Sequence, residues 1–537
     1  MKKLLAALCL TVGLASCVNV NENLGGSFIS TNQKYDFFTA EFDLDEIQMK
    51  PVDSLTAYSS RRITIGSIRD ETYGLTRRGC AVTLVPVLDT VDYGTSPIFK
   101  KMIFRAAVDS VSVPDASQNY IIQNINVYAL NKPLDPKEYY ARTVVDHGSQ
   151  RVTKGVPVAN GTDSLAFEFT TEFGQRFLDI TQEDLQDFDK YCSKFPGIYI
   201  TTDDPVGNGG RFDMYEMDIL ENNDGYLSRT NNLAVLYYSG IYDGVRKDST
   251  LLFYFSPLKF QDLDSLINAT ALPEQYVFNV DYHESDHLAG SAADKIYVEG
   301  GSGLKPVIPA KELWRLVNGE IARKGGNGKT ALISKATIEL PFDMPEDYDS
   351  MHLYPLMLSP TVRIKTDTTV SFAGLTDASA SDENQGDINR SLFNYAPDVT
   401  HHVQQIIRKD ADEDLSNYDI WMLIMWMETT TTTNSSASQL ADYYQQLAYY
   451  SYYNQLYGGG GYSGGGYYGG YGSGYYGNSY SNYYNYMLMA QYAGANASTT
   501  TSSSELDKDR YYNCSLRGPA CEGRKPKLKI TFALPKE

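Results

Sequence analysis

Short β-rich runs, broken every few residues by Gly, Pro, Asn or Asp, limit what this chain can fold into more than any other feature. Within residues 121–130, Ile125, Val127 and Ala129 alternate with Asn124, Asn126 and Tyr128. That period of two belongs to a half-buried strand. Residues 62–66, 81–88, 165–169, 195–201, 233–238, 251–255 and 276–282 continue the theme. Strands at such spacing build sandwiches or open barrels. The expected fold is all-β and mainly antiparallel, in sandwich-like or open-barrel lobes with a few short helices. Helices are expected over 172–180, over 182–191 with Leu185 and Phe188 three apart, and over 310–324. The last carries Leu313, Trp314, Leu316 and Val317 at helical spacing and stops at Gly325-Gly326. A strand over 331–340, stopped by Pro341, follows.

The last third departs from this pattern. Residues 420–427 form an unbroken apolar run of strand length, although a buried helical segment has the same signature. A Thr/Ser tract and a Gly/Tyr-rich stretch come next. Residues 443–492 hold 18 of the chain's 43 tyrosines, and no Asp, Glu, Lys or Arg occurs from Tyr443 to Ser504. The stretch therefore offers stacking faces without charge repulsion. Residues 436–506 read as a disordered low-complexity insertion in a connection between two strands, which slow growth of loop-closure entropy tolerates. An alternating terminal strand is expected at 528–534. The expected organisation is a signal segment at 1–16 and a tether at 17–34. Two β-rich lobes follow at 35–210 and 211–435, then the insertion, and 507–537 closes the second lobe.

Lys2 and Lys3, the apolar run 4–14 and the small residues before Cys17 have the layout of an export signal. Leu14-Ala15-Ser16-Cys17 resembles the bacterial lipobox, which implies acylation of Cys17. The apolar run is well under the ~20 residues of a spanning helix, so a chain anchored to the membrane fits better than one crossing it. Val18 follows the cysteine where some bacteria place an inner-membrane retention aspartate, so the outer membrane is expected. Which of its faces the chain occupies stays open at this point. The formal charge of −20 argues against nucleic acid as a partner and against basic contact with anionic lipid. Lipid on Cys17 is the expected membrane contact. After Cys9 leaves with the signal, Cys80, Cys192, Cys514 and Cys521 remain. Export permits disulfides. Cys514 and Cys521, enclosing Gly518 and Pro519, are the favoured pair, while Cys80 and Cys192 are either paired or free buried thiols.

Catalytic signatures are thin. His283-Glu284-Ser285-Asp286-His287 matches H-E-x-x-H, whose zinc chemistry needs both histidines on one helical face. Here the motif follows a strand in which Phe278, Val280 and Tyr282 alternate with Asn279 and Asp281. His283 and His287 are therefore weak metal candidates, and neither a metal nor a cofactor is expected. The G-x-S-x-G match at 461–465 lies in a Gly/Tyr repeat and lacks the strand-to-helix turn it needs. Residues 325–330 join a helix to a strand, the reverse of a phosphate loop. Residues 220–225 fail as a calcium loop, with Leu220 in the first ligand position. His401-His402 and the acidic run 410–414 read as solvated surface. Asp followed by Ser or Thr recurs, at Ser54, Thr90, Ser110, Ser164 and Ser265. These resemble an O-glycosylation motif of exported bacterial proteins, and equally suit turns entering strands.

A set of ordered segments carries a wider resemblance. They are 53–55, 65–70, 73–76, 108–111, 127–130, 195–200, 296–301, 333–340 and 528–530, among them Ile65-Gly66-Ser67-Ile68-Arg69-Asp70 and Ile296-Tyr297-Val298-Glu299-Gly300-Gly301. In this order they resemble the domain-of-unknown-function family numbered 4270, lipoproteins of Gram-negative bacteria. The resemblance covers most of 35–430 and the end of the chain, and the Gly/Tyr insertion departs from it. That family has no established activity, so no catalytic residue is carried over. The expectation is a non-enzymatic outer-membrane lipoprotein, a binding or structural component of an envelope assembly with a protein or glycan partner. A surface glycan-binding subunit of an uptake system is the first alternative, and a hydrolase the second.

Overall fold

The computed structural model describes residues 34–88, 90–219, 227, 229–230, 232–261, 272–366, 370–377, 384–433 and 498–536. The signal segment, Cys17, the tether to residue 33, residues 220–225, Ser265 and the Gly/Tyr-rich stretch with its G-x-S-x-G match lie outside these residues. The described chain is mainly antiparallel β-sheet with a few short helices. Its sheets are open paths, so the lobes are sandwich-like and not closed barrels.

A ten-stranded sheet includes Gln123–Leu130, Ile198–Thr202, Gly74–Val82, Arg62–Asp70 and Gly209–Glu216. Ile198–Thr202 and Arg62–Asp70 share one edge of Gly74–Val82, and Val277–His283 takes the other. A five-stranded sheet contains Thr95–Ala106, Ala234–Tyr242 and Val245–Phe255. Inward residues of both sheets make the first core. Ile63, Val127 and Ile200 come from one, and Met102, Phe104, Leu236 and Phe253 from the other. Phe104 stacks on Phe167 and Phe255 at 4.8 and 4.9 Å between ring centroids. Each such buried side chain contributes roughly 1.5–3 kcal/mol of transfer free energy.

The second core is built around the two ends of the chain. Lys527–Pro535 lies between Tyr35–Asp43 and Leu332–Pro341, antiparallel to both. Phe38, Ala40 and Phe42 face inward with Leu528, Ile530 and Phe532. The helix Ala310–Arg323 covers this core with Leu313, Val317 and Ile321 fully buried, while Trp314 and Leu316 pack at its margin. Trp314 Nε1 donates to Lys409 O at 2.9 Å. Gly325, at φ +83°, supplies the left-handed stop that a side chain would strain.

Several boundaries differ from the sequence expectation. The packing does not divide at 210/211, because strands on both sides of that point share sheets. Gly209–Glu216 pairs with Arg62–Asp70, and Ala234–Tyr242 pairs with Thr95–Ala106. The first core thus runs on to Val277, and Tyr35–Asp43, assigned to the first lobe, belongs to the second core. The expected helix 172–180 is an α-turn, Thr171–Gln175, followed by the 3-10 turn Arg176–Asp179. The expected helix 182–191 is broken at Asp187, whose extended backbone and side chain cap Phe188–Lys194. Thr400–Ile407 is a helix with His402 buried in it, so His402 is not solvated surface. Its Nε2 lies 2.8 Å from Tyr418 O, and burial holds its pKa below the ordinary value.

The four described cysteines are free thiols, so the expected Cys514–Cys521 bridge is absent. Cys514 is buried in the second core, while Cys521 Sγ donates to Asp294 O at 2.7 Å. The described residues 425–433 and 498–506 belong to a separate unit. Within it, 425–433 of the strand Ile420–Thr433 pairs antiparallel with Ser498–Leu506, from Met425↔Leu506 to Thr433↔Ser498. The expected insertion therefore overreaches at its C-terminal end, because 498–506 is a paired strand. β-branched threonine favours this extended pairing.

Candidate functional site

Strand alternation places two unlike groups of polar residues on the two faces of one pair of strands, Gly74–Val82 and Val277–His283. Register aligns Arg77 with Tyr282, Arg78 with Asp281 and Gly79 with Val280. Tyr128 stands opposite Tyr199, and Tyr199 opposite Ala81. One face therefore gathers Asn126, Tyr128, Tyr199, Thr201, Arg77, Val280 and Tyr282. The other gathers Arg78, Asp281 and His283.

The first face floors an open cleft of about 400 Å³, walled by residues 142–145 and His147. Three rings stack along it. His147 lies 4.6 Å from Tyr128 and 5.1 Å from Tyr199, both nearly parallel. Tyr199 can lie across its neighbouring strand only because Gly79 has no side chain. A Cβ there would sit 2.3 Å from the Tyr199 hydroxyl oxygen. Planar polar groups flank the rings. Arg77 donates through Nε to Asp204 at 2.7 Å and through a terminal nitrogen at 2.5 Å, and its guanidinium lies 5.6 Å from the Tyr282 ring centre. Asn126 donates to Asp203 at 2.7 Å and accepts from Arg151 Nε at 2.6 Å. The amides of Asn124 and Asn126 hold the Asp203 carboxyl below its ordinary value, so it stays an acceptor.

The second face is sealed. His283 is buried, with Nε2 3.2 Å from Asp281 and Nδ1 3.2 Å from Glu299. Ser285 Oγ donates to Glu299, and Ser302 Oγ and N–H donate to Asp281, the latter at 2.8 Å. Lys305 Nζ donates to the carbonyls of Glu299, Gly301 and Gly303 at 2.5, 3.0 and 3.2 Å. Arg78 donates to the carbonyls of Asp509 and Arg510 and covers the Phe212 ring at 4.4 Å. Burial disfavours the imidazolium of His283, but the Glu299 and Asp281 carboxylates outweigh it and raise its pKa. Burial likewise opposes the Asp281 charge, yet His283 and Arg78 hold that carboxyl low. Burial pulls Lys305 down to about 8. His283 and Ser285 are buried, and a cavity next to Arg78 and Asp281 has room for about 10 Å³. Both ring nitrogens of His283 are engaged by carboxylates, so the ring has no lone pair turned to a metal. His287 is exposed on the 3-10 turn Ser285–Leu288, its Nδ1 3.1 Å from Glu284 O. The H-E-x-x-H segment thus lacks the helix its chemistry requires.

The remaining sequence candidates scatter. Ser54 is buried and accepts from Arg363 at 3.1 Å, so its hydroxyl is not an accessible glycosylation site. Ser110 is half-buried within Val108–Ser112. Ser164 and Thr90 are exposed. The sequence reading placed Asn126 and Tyr128 on the outward side of their strand but did not gather Arg77, His147, Tyr199 and Asp204 with them. The pairing that unites them spans over a hundred residues of chain.

No family model, curated protein or solved structure matches the chain.

Proposed function

We propose that this chain is a non-enzymatic outer-membrane lipoprotein, anchored through Cys17, that binds a glycan in the cleft over Tyr128, His147 and Tyr199. The stacked row of rings beside paired planar polar groups is the observation that supports this reading. Sugar rings present flat C–H faces to aromatics and hydroxyls to planar donors and acceptors. Arg77–Asp204 and Asn126–Asp203 supply both kinds of partner at the edge of the row. The cleft is mixed in charge, which suits neutral saccharides better than polyanions in so acidic a chain. The lipid anchor and the outer-membrane location rest on the lipobox-like Leu14-Ala15-Ser16-Cys17, and the family resemblance points the same way.

The test is a panel of neutral and acidic oligosaccharides presented to the detergent-purified lipoprotein. Saturable binding to a neutral class is expected. Uniform failure across neutral glycans, with binding only to a protein partner from the envelope, would transfer the reading to an assembly component.

A further inference from the structure

The outer face of the sheet formed by the two chain ends changes character along its strands. In one row across three strands, Phe37 pairs with Ala533 and Ala533 with Leu332. Phe37 is 69% exposed, Leu332 41% and the neighbouring Tyr35 39%. At the far end of the same face stand charges, paired as Lys527–Glu41 at 3.3 Å and Lys529–Glu339 at 2.9 Å. Apolar side chains thus collect at the end where the chain enters from residue 34, and ion pairs at the end facing away. The C-terminus is tied to that same end, with Lys536 N–H donating to Lys34 O at 2.8 Å and Lys536 Nζ 2.9 Å from Asp36.

We infer that this apolar end, Tyr35, Phe37 and Leu332, rests on the lipid surface that holds Cys17. The inference rests on the anchor in the proposed function and adds an orientation to it. Sequence length bounds the distance. The segment 18–34, fully extended, reaches no further than about 60 Å, and a coil of that length spans about 20–25 Å. The end of the sheet where that segment joins therefore lies within this reach of the bilayer. Exposed aromatics at the end of a sheet are the chemistry of the membrane interface, where rings sit at headgroup depth. The far end is unsuited to such contact, because Lys527, Glu41, Lys529 and Glu339 all stand on the outer face and would lose water there. A chain of net charge −20 gains nothing from general attraction to anionic lipid, so a local apolar contact is what can orient it.

Hydroxyl-radical footprinting of the full acylated chain tests this, compared between vesicles of zwitterionic and anionic phospholipid and lipid-free buffer. Flotation with the vesicles, and its loss in Cys17→Ala, reports on the anchor separately. Expected is a several-fold fall in oxidation at Tyr35, Phe37 and Leu332 in vesicles, with Tyr120 and Tyr282 unchanged. If the chain does not float, the anchor fails and the orientation with it. If it floats while Phe37 and Leu332 oxidise as fast as in buffer, the orientation alone is overturned. Protection equal in vesicles and in lipid-free buffer also overturns it, and identifies a second copy of the chain as the cover.

Discussion

The cleft and the ionic cluster are built by the same two strands, one residue out of phase, and their polar groups meet opposite fates. Arg77 faces outward and pairs with Asp204, with both side chains 36% exposed. Arg78, its chain neighbour, is 2% exposed and spends its donors on backbone carbonyls. Tyr282 is half in solvent, while Asp281 and His283 on either side of it are locked between partners. Polarity along a strand therefore does not reveal availability. What decides it is whether the opposite face meets a covering element, here the turn carrying Glu299 to Lys305, or open solvent.

The largest expected effect comes from the sealed face. Glu299→Ala removes one carboxylate from His283 and leaves the Ser285 hydroxyl and Leu304 N–H without their acceptor. Uncompensated buried charge of this kind costs about 3–5 kcal/mol, read as a fall in unfolding free energy in denaturant. A change below about 1 kcal/mol would mean the cluster is solvated and the contrast between the faces is false.

Next in size is Gly79→Ala, where the new Cβ drives the Tyr199 ring off the strand. Overpacking of this kind costs about 1–3 kcal/mol, and glycan binding should be lost as the ring row breaks. Binding that survives unchanged would detach the row from the ligand.

The pH dependence sharpens the same contrast. The folded pKa of His283 is raised above 6.5. Its contribution is fully present below 6.5 and is lost as pH rises through the raised value. Lys305 works with the opposite sign. Its folded value of about 8 lies below the ordinary 10.5, so the unfolded chain holds more protons between them and stability rises with pH across that window. The stability difference between wild type and His283→Gln should therefore shrink as pH rises above 6.5, measured by unfolding midpoints. A difference independent of pH would show that His283 does not carry charge there.

The smallest effect belongs to the open face. Asp204→Asn breaks a solvent-screened pair and should change stability by about 1 kcal/mol or less, while weakening glycan binding.

The sequence made the strands legible wherever alternation met a buried face. Ile125 and Val127 turn inward as their pattern requires, and Leu313 and Val317 bury as their spacing requires. The apolar run at 420–427 is a strand, and it extends through β-branched threonines to Thr433. Lobe boundaries were not legible, because Tyr35–Asp43 finds its partner almost five hundred residues away. For the same reason the cleft was visible only in pieces. Asn126 and Tyr128 show in one strand, but no local pattern announces that Gly79 is a glycine so that Tyr199 can lie over it. The helix Thr400–Ile407 was missed because His401-His402 read as polar, although Val403, Ile406 and Ile407 follow at helical spacing.

The most direct measurement of the central claim is a glycan titration of three proteins side by side: wild type, Tyr128→Ala and Tyr199→Ala, each with its unfolding midpoint. The ring row predicts saturable binding by wild type and at least tenfold weaker binding by both variants, about 1.4 kcal/mol or more, with the Tyr128→Ala midpoint close to wild type and Tyr199→Ala lower but still folded at the titration temperature. Equal affinity in all three proteins, or a loss of binding that merely follows a loss of folding, would contradict it.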